Sequence, residues 1–146
     1  MGGWDVIIVG AGPAGSALAC RLRPQHRVLL LDRAAAGAAP GALRIGESLP
    51  GAARVLLQRF GLLDRFLADG HEERGATVAQ WDQREPVWFD ALRDPNGPGW
   101  HLDRTRFDAS LRAAAGAAGA ALVAGCGRVG VAHHAGCWEI SLAAGG

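Results

Sequence analysis

The 146-residue sequence contains no lysine and no tyrosine, and its single methionine is Met1. All 15 basic residues are therefore arginine, and 14 acids leave a net charge of +1. That balance excludes the strong basic field used by non-specific nucleic-acid or anionic-membrane binding, so neither partner is expected. The missing lysine, beside abundant alanine and glycine, reads as codon bias of a GC-rich genome. Cysteine is scarce and odd in number: Cys20, Cys126 and Cys137 match no C-x-x-C or metal-ligand spacing. A reducing, cytoplasmic setting is expected from them. No apolar run approaches the roughly 20 residues needed to span a bilayer, and no basic stretch leads into a cleavable apolar segment. A Walker loop, a Ser/His/Asp triad and a metal cluster are likewise missing from the sequence.

Glycine is plentiful, with 22 residues, and three of them are spaced as G-x-G-x-x-G: Gly10, Gly12 and Gly15. Val6, Ile7, Ile8 and Val9 precede them as a β-branched run, predicting a strand buried on both faces. Gly10 permits the tight turn, Gly12 lets the backbone approach a pyrophosphate, and Gly15 lets the next helix pack on the strand. The helix begins near Pro13 and Ala14, its amides and positive dipole end facing the phosphates, runs on through 16–23 and ends at Pro24. A second buried strand, 27–31, finishes on Asp32. An acid about 20 residues beyond the glycines accepts the hydroxyls of an adenosine ribose. A surface turn followed by a salt-bridging Asp is the bland alternative.

Further along, 34–43 is a small-residue loop, and the polar residues of 44–50 interrupt a helix start where Ser48 or Pro50 caps or opens the next helix. Helices are predicted over 52–60 and 62–68, then antiparallel strands over 75–82 and 86–90, and a turn over 94–99. Residues 100–102 are extended, with His101 read as a packing residue. Another helix covers 104–116, with Phe107, Leu111, Ala114 and Ala115 on one face. A core strand follows at 121–124, then strands at 128–132 and 138–142 joined by a turn at 133–136. Trp81, Trp88 and Trp100 either line a substrate face or pack in the core or at an edge.

Three segments, 7–15 (IIVGAGPAG), 44–50 (RIGESLP) and 100–111 (WHLDRTRFDASL), resemble FAD-dependent oxidoreductases of the p-hydroxybenzoate hydroxylase-like class, nearest the tryptophan-halogenase-like branch. The resemblance covers essentially the whole chain. It implies a Rossmann-like FAD/NAD(P)-binding α/β fold (ββα type) with a small antiparallel insert, of which residues 1–146 are the N-terminal part and about 72–100 the start of a substrate-domain insert. Residues assigned to the cofactor are Gly10, Gly12, Pro13, Ala14, Gly15, Asp32, Arg33 beside the adenine, Arg44 with the Gly46, Glu47 and Ser48 turn beside the flavin, Arg106 from its helix, and Val129 through its backbone. Arginine suits such roles as a planar, permanently charged donor. Arg44 as an exposed loop residue, Arg106 paired with Asp103 or Asp108, and Glu47 as a helix-entry carboxylate or a general acid or base stand beside those assignments.

The implied activity is a flavin monooxygenase or halogenase-like reaction using reduced FAD and oxygen, with NAD(P)H or a partner flavin reductase as reductant and a small-molecule or peptidyl aromatic substrate. The D-A-T-G-like turn and later G-D motif of that class do not occur in the sequence. The chain is therefore expected to be a truncated fragment, inactive alone. A non-catalytic dinucleotide-binding remnant is the alternative.

Overall fold

The computed structural model describes residues 3–23, 25–33, 47–82 and 85–143. Pro24, the 34–43 connection, Arg44 and Gly46 lie outside the described residues. The chain forms two compact units: Met1–Leu43 with Leu111–Gly146, and Arg44–Ser110.

The first unit is built on a parallel sheet of β1 (Val6–Val9), β2 (Val28–Asp32) and β8 (Ala121–Ala124), in the order β1-β2-β8. Val6 lies opposite Val28 and Leu29 opposite Ala121. Parallel neighbours need a crossover, and α1 (Pro13–Leu22) supplies the one between β1 and β2. The middle strand holds the core: Val28, Leu30 and Leu31 are essentially inaccessible, and each such side chain contributes about 2 kcal/mol on burial. Small residues from the helices complete the cluster, Ala19 of α1 and Ala115 of α4 (Arg104–Ala117) meeting Ile8, Val28 and Leu30. Arg23 ties the helix ends together, its Nε donating to the Ala118 carbonyl at 3.2 Å and its Nη1 to that of His26 at 2.8 Å.

Two expectations for this sheet need correction. β1 is not buried on both faces, since only Ile8 is inaccessible and Val9 is 56% exposed. β8 is an outer strand with Leu122 and Val123 exposed, not a core strand. Burial of a strand's faces comes from layers packed above and below the sheet. Among the described residues the buried cluster, with Ala19 of α1 and Ala115 of α4, is centred on β2 rather than on β1 or β8.

A hairpin of β9 (Val129–His134) and β10 (Cys137–Leu142) completes the unit. Its turn is two residues, not the four expected, because His134 pairs with Cys137 and His133 with Trp138. Ala135 and Gly136 both have positive φ (49° and 79°), as a type I′ turn demands.

The second unit carries β3 (Glu47–Leu49), α2 (Ala53–Arg59), α3 (Leu63–Ala68), β4 (Glu72–Arg74), β5 (Ala76–Ala79), β6 (Val87–Asp90) and β7 (Gly99–Leu102). An antiparallel sheet runs β3-β7-β4, and β5 and β6 form the predicted antiparallel pair. β7 brings Trp100, 2% exposed, to the centre of an aromatic core. Phe66 meets it edge-on at 5.0 Å, and the Arg54 guanidinium sits 4.8 Å above its ring. Trp100 is thus a core residue, whereas Trp81 and Trp88 are 86% and 67% exposed. His101 points to solvent and is not a packing residue, because strand alternation sends it to the face opposite Trp100 and Leu102. Ser48 and Pro50 give α2 no side-chain cap: its N-cap is Ala52, and the Pro50 carbonyl accepts from the Ala53 amide.

Candidate functional site

The turn from β1 into α1 is shaped by glycines in two different ways. Gly10 has φ of +109°, and its amide donates to the Leu31 carbonyl at 2.7 Å, clamping the turn to the neighbouring strand. Gly15 has no room for a side chain: a Cβ there would lie 2.0 Å from the Gly10 carbonyl oxygen. Gly12 differs from both. Its φ and ψ of −76° and −174° suit any residue, and a Cβ there would meet nothing within 4 Å among the described residues. The described fold therefore does not require a glycine at 12, and open space lies in front of it.

That space lies at the start of α1. Pro13 occupies the first turn, where its missing N–H costs nothing. The first helical bond runs from the Ser16 amide to the Gly12 carbonyl at 2.9 Å, so the Ala14 and Gly15 amides precede the intrahelical ladder. The first turn holds no acidic residue, and no side chain caps it. Unneutralised amides at a positive helix end, beside a cradle that a side chain at Gly12 would fill, fit a pyrophosphate.

The Ala11 carbonyl beneath this turn is held by two donors, Ser16 Oγ at 3.2 Å and Arg112 Nε at 3.0 Å. At the carboxyl ends of the strands, a cavity of about 470 Å³ is lined by Val9, Arg33, Gly127, Arg128 and Val129. Ligands of open α/β sheets bind at this end. Asp32 closes β2 opposite Ala124, and its carbonyl accepts from the Cys126 amide at 3.1 Å. The structure thus brings Arg33 and Val129 to one cavity, while Gly10, Gly12, Pro13, Ala14 and Gly15 form the turn.

Glu47, Ser48 and Arg106 belong to the other unit. Glu47 and Ser48 lie in β3 rather than in a turn, so Glu47 is not a helix-entry carboxylate. Its carboxylate pairs with Arg104, which also holds Asp108, 1% exposed, through Nε at 3.1 Å. Hydrogen bonding to Asp108 raises the Arg104 pKa. Arg106 donates to the Asp69 carbonyl at 2.7 Å and lies 3.9 Å from Asp103. Sequence reasoning missed Arg104, Arg112, Gly127 and Arg128. The i,i+4 spacing of Arg104 and Asp108 was a readable signal; Arg112 offered none, because its acceptor lies 101 residues away. Among the described residues no helix is long and apolar enough to cross a membrane.

A family model described as FAD binding domain matches residues 3–134. The digeranylgeranylglycerophospholipid reductase of Picrophilus torridus is 29% identical over 120 residues, 80% of this chain and 28% of the relative. The corresponding reductase of Thermoplasma acidophilum is 31% identical over the same shares. Among solved structures, the myxobacterial chondrochloren halogenase, an FAD-dependent halogenase, is similar with a TM-score of 0.75 and 27% identity over 96% of this chain and 35% of its own. The anhydrotetracycline hydroxylase from Streptomyces rimosus gives a TM-score of 0.76 and 27% identity over 95% and 28%. The chain spans 28% of the length of the curated relatives it matches.

Proposed function

The chain belongs to the FAD binding domain family, and we propose that it is the cofactor-holding part of an FAD-dependent oxidoreductase of the monooxygenase or halogenase type. One observation carries the reading: open space at Gly12 in front of an uncapped, acid-free helix start. The 27% identity to an FAD-dependent halogenase and to a hydroxylase supports the reaction class. When bound, FAD supplies the redox chemistry.

The chain's own residues bind and orient. The Gly12, Ala14 and Gly15 amides take the pyrophosphate, Asp32 the adenosine ribose, and Arg33 and Val129 border the adenine. Arg44, Gly46, Glu47, Ser48 and Arg106 are assigned to the flavin side. NAD(P)H, directly or through a partner reductase, is the proposed reductant, and an aromatic molecule, free or peptidyl, the substrate. Turnover requires a longer protein, in line with the 28% coverage of the relatives, and these 146 residues alone are proposed to be inactive. A cytoplasmic site of action suits the odd cysteine count.

The test is flavin retention. Asp32→Ala is expected to weaken FAD binding by roughly 10- to 100-fold, the scale of hydrogen bonds to a charged group. Unchanged retention would falsify the assigned ribose contact. A second reading, a flavin-dependent reductase, is favoured by the 29% and 31% identity to the archaeal reductases. Oxygen consumption coupled to substrate oxidation by the longer protein separates the two.

A further inference from the structure

We propose that Arg112 is a positioning residue for the cofactor: it locks the Ala11–Gly12 peptide so that the Gly12 amide is presented to the pyrophosphate. This rests on the dinucleotide reading of the turn. The Ala11 carbonyl points inward, on a residue that is 0% exposed, and accepts from both Ser16 Oγ and Arg112 Nε. A trans peptide is planar, so its N–H lies opposite its carbonyl. Holding the Ala11 oxygen inward therefore sends the Gly12 N–H outward, on a residue with open space before it. Two donors on one carbonyl also polarise the peptide and strengthen its N–H as a donor.

The arrangement gives α4 a role the glycine motif does not contain. Arg112 reaches across 101 residues to the carbonyl of Ala11, a member of the apolar core cluster at the turn. Ser16 acts on the same oxygen but belongs to α1 itself, so it cannot report on how α4 is seated. The guanidinium is planar and its Nε donor is fixed in direction. Lysine offers the same charge on a flexible stem without that fixed donor, and the two substitutions therefore separate orientation from charge.

The experiment compares wild type, Arg112→Ala and Arg112→Lys as the 146-residue chain. FAD fluorescence titrations at low and high salt are read beside the Gly12 amide resonance of the ligand-free protein. Both variants are expected to bind FAD roughly tenfold more weakly, the scale of one charge-assisted hydrogen bond. The deficit should be the same at both salt concentrations, and the Gly12 resonance should shift in both variants. Wild-type affinity in Arg112→Lys, a deficit that vanishes at high salt, or an unmoved Gly12 resonance overturns the inference while leaving the FAD site intact. Failure of the wild type itself to bind FAD overturns the dinucleotide reading, and the inference with it. If Arg112→Ala does not fold, Arg112→Lys decides the matter by the same readouts.

Discussion

Gly15 and Gly10 are in contact across the turn, with only hydrogen on Gly15 keeping it clear of the Gly10 carbonyl oxygen, which a Cβ would approach to 2.0 Å. The atom in the way is backbone, and that backbone is tied to β2 through the Gly10 amide and the Leu31 carbonyl. It has little freedom to yield. Gly15→Ala is therefore predicted to destabilise the chain by about 2–3 kcal/mol, the upper range for overpacking. A urea melt measures it; an unchanged midpoint would show that the helix start can slide away from the strand.

Asp5 and Arg27 stand immediately before β1 and β2. The Asp5 carboxylate accepts from the Arg27 amide at 2.7 Å and from Nη2 at 2.8 Å. Hydrogen bonding to Arg27 pulls the Asp5 carboxyl down from 3.8 to about 2. A depressed carboxyl stabilises the fold above its unfolded pKa and loses that effect as pH falls through the folded one. Thermal stability is thus predicted to fall between pH 3.8 and about 2, with a shallower fall in Asp5→Asn. Melting curves across that window decide it, and parallel pH profiles for the two proteins would contradict the pairing.

His71 accepts from the Asp103 amide through Nδ1 at 3.3 Å, and its ring lies tilted by 35° against Phe66 with centroids 5.0 Å apart. Its Nε2 is buried without a partner among the described residues. Burial pushes its pKa below 6.5, outweighing Asp69 and Asp103, which raise it, while Arg106 adds to the lowering. The neutral ring is the one the fold accepts, so stability is fully present above 6.5 and declines as pH falls below it. His71→Asn keeps an acceptor near the Nδ1 position and does not titrate. Its stability is expected to be flat between pH 7 and pH 5, roughly the window of an ordinary histidine, where the wild type declines; equal slopes would remove His71 as the cause.

The β1–turn–α1–β2 segment was legible because its information is local: a β-branched run, fixed glycine spacing, and a proline at the helix start. β3 and β4 were not. Glu47–Leu49 and Glu72–Arg74 are short and polar, and become strands by pairing with β7, whose Trp100 anchors the sheet. The same non-local dependence explains β8, whose apolar residues say "strand" but not "outer strand". Arg33 and Val129, assigned to the cofactor by family resemblance alone, both line one cavity. The contact of Arg112 with the Ala11 carbonyl was unreadable because it depends on helix packing rather than on sequence neighbours.

The most direct measurement is an FAD titration of wild type and Gly12→Ala, each with a thermal melt. Ala fits the backbone at 12 and meets no atom of the described residues within 4 Å, so the melt should be unchanged. FAD affinity should drop by roughly tenfold or more, since the methyl would occupy the place proposed for the pyrophosphate and a lost amide contact to an anion is worth about 1.5–3 kcal/mol. Wild-type affinity in Gly12→Ala, at an unchanged melt, would contradict the assignment of this turn to the cofactor.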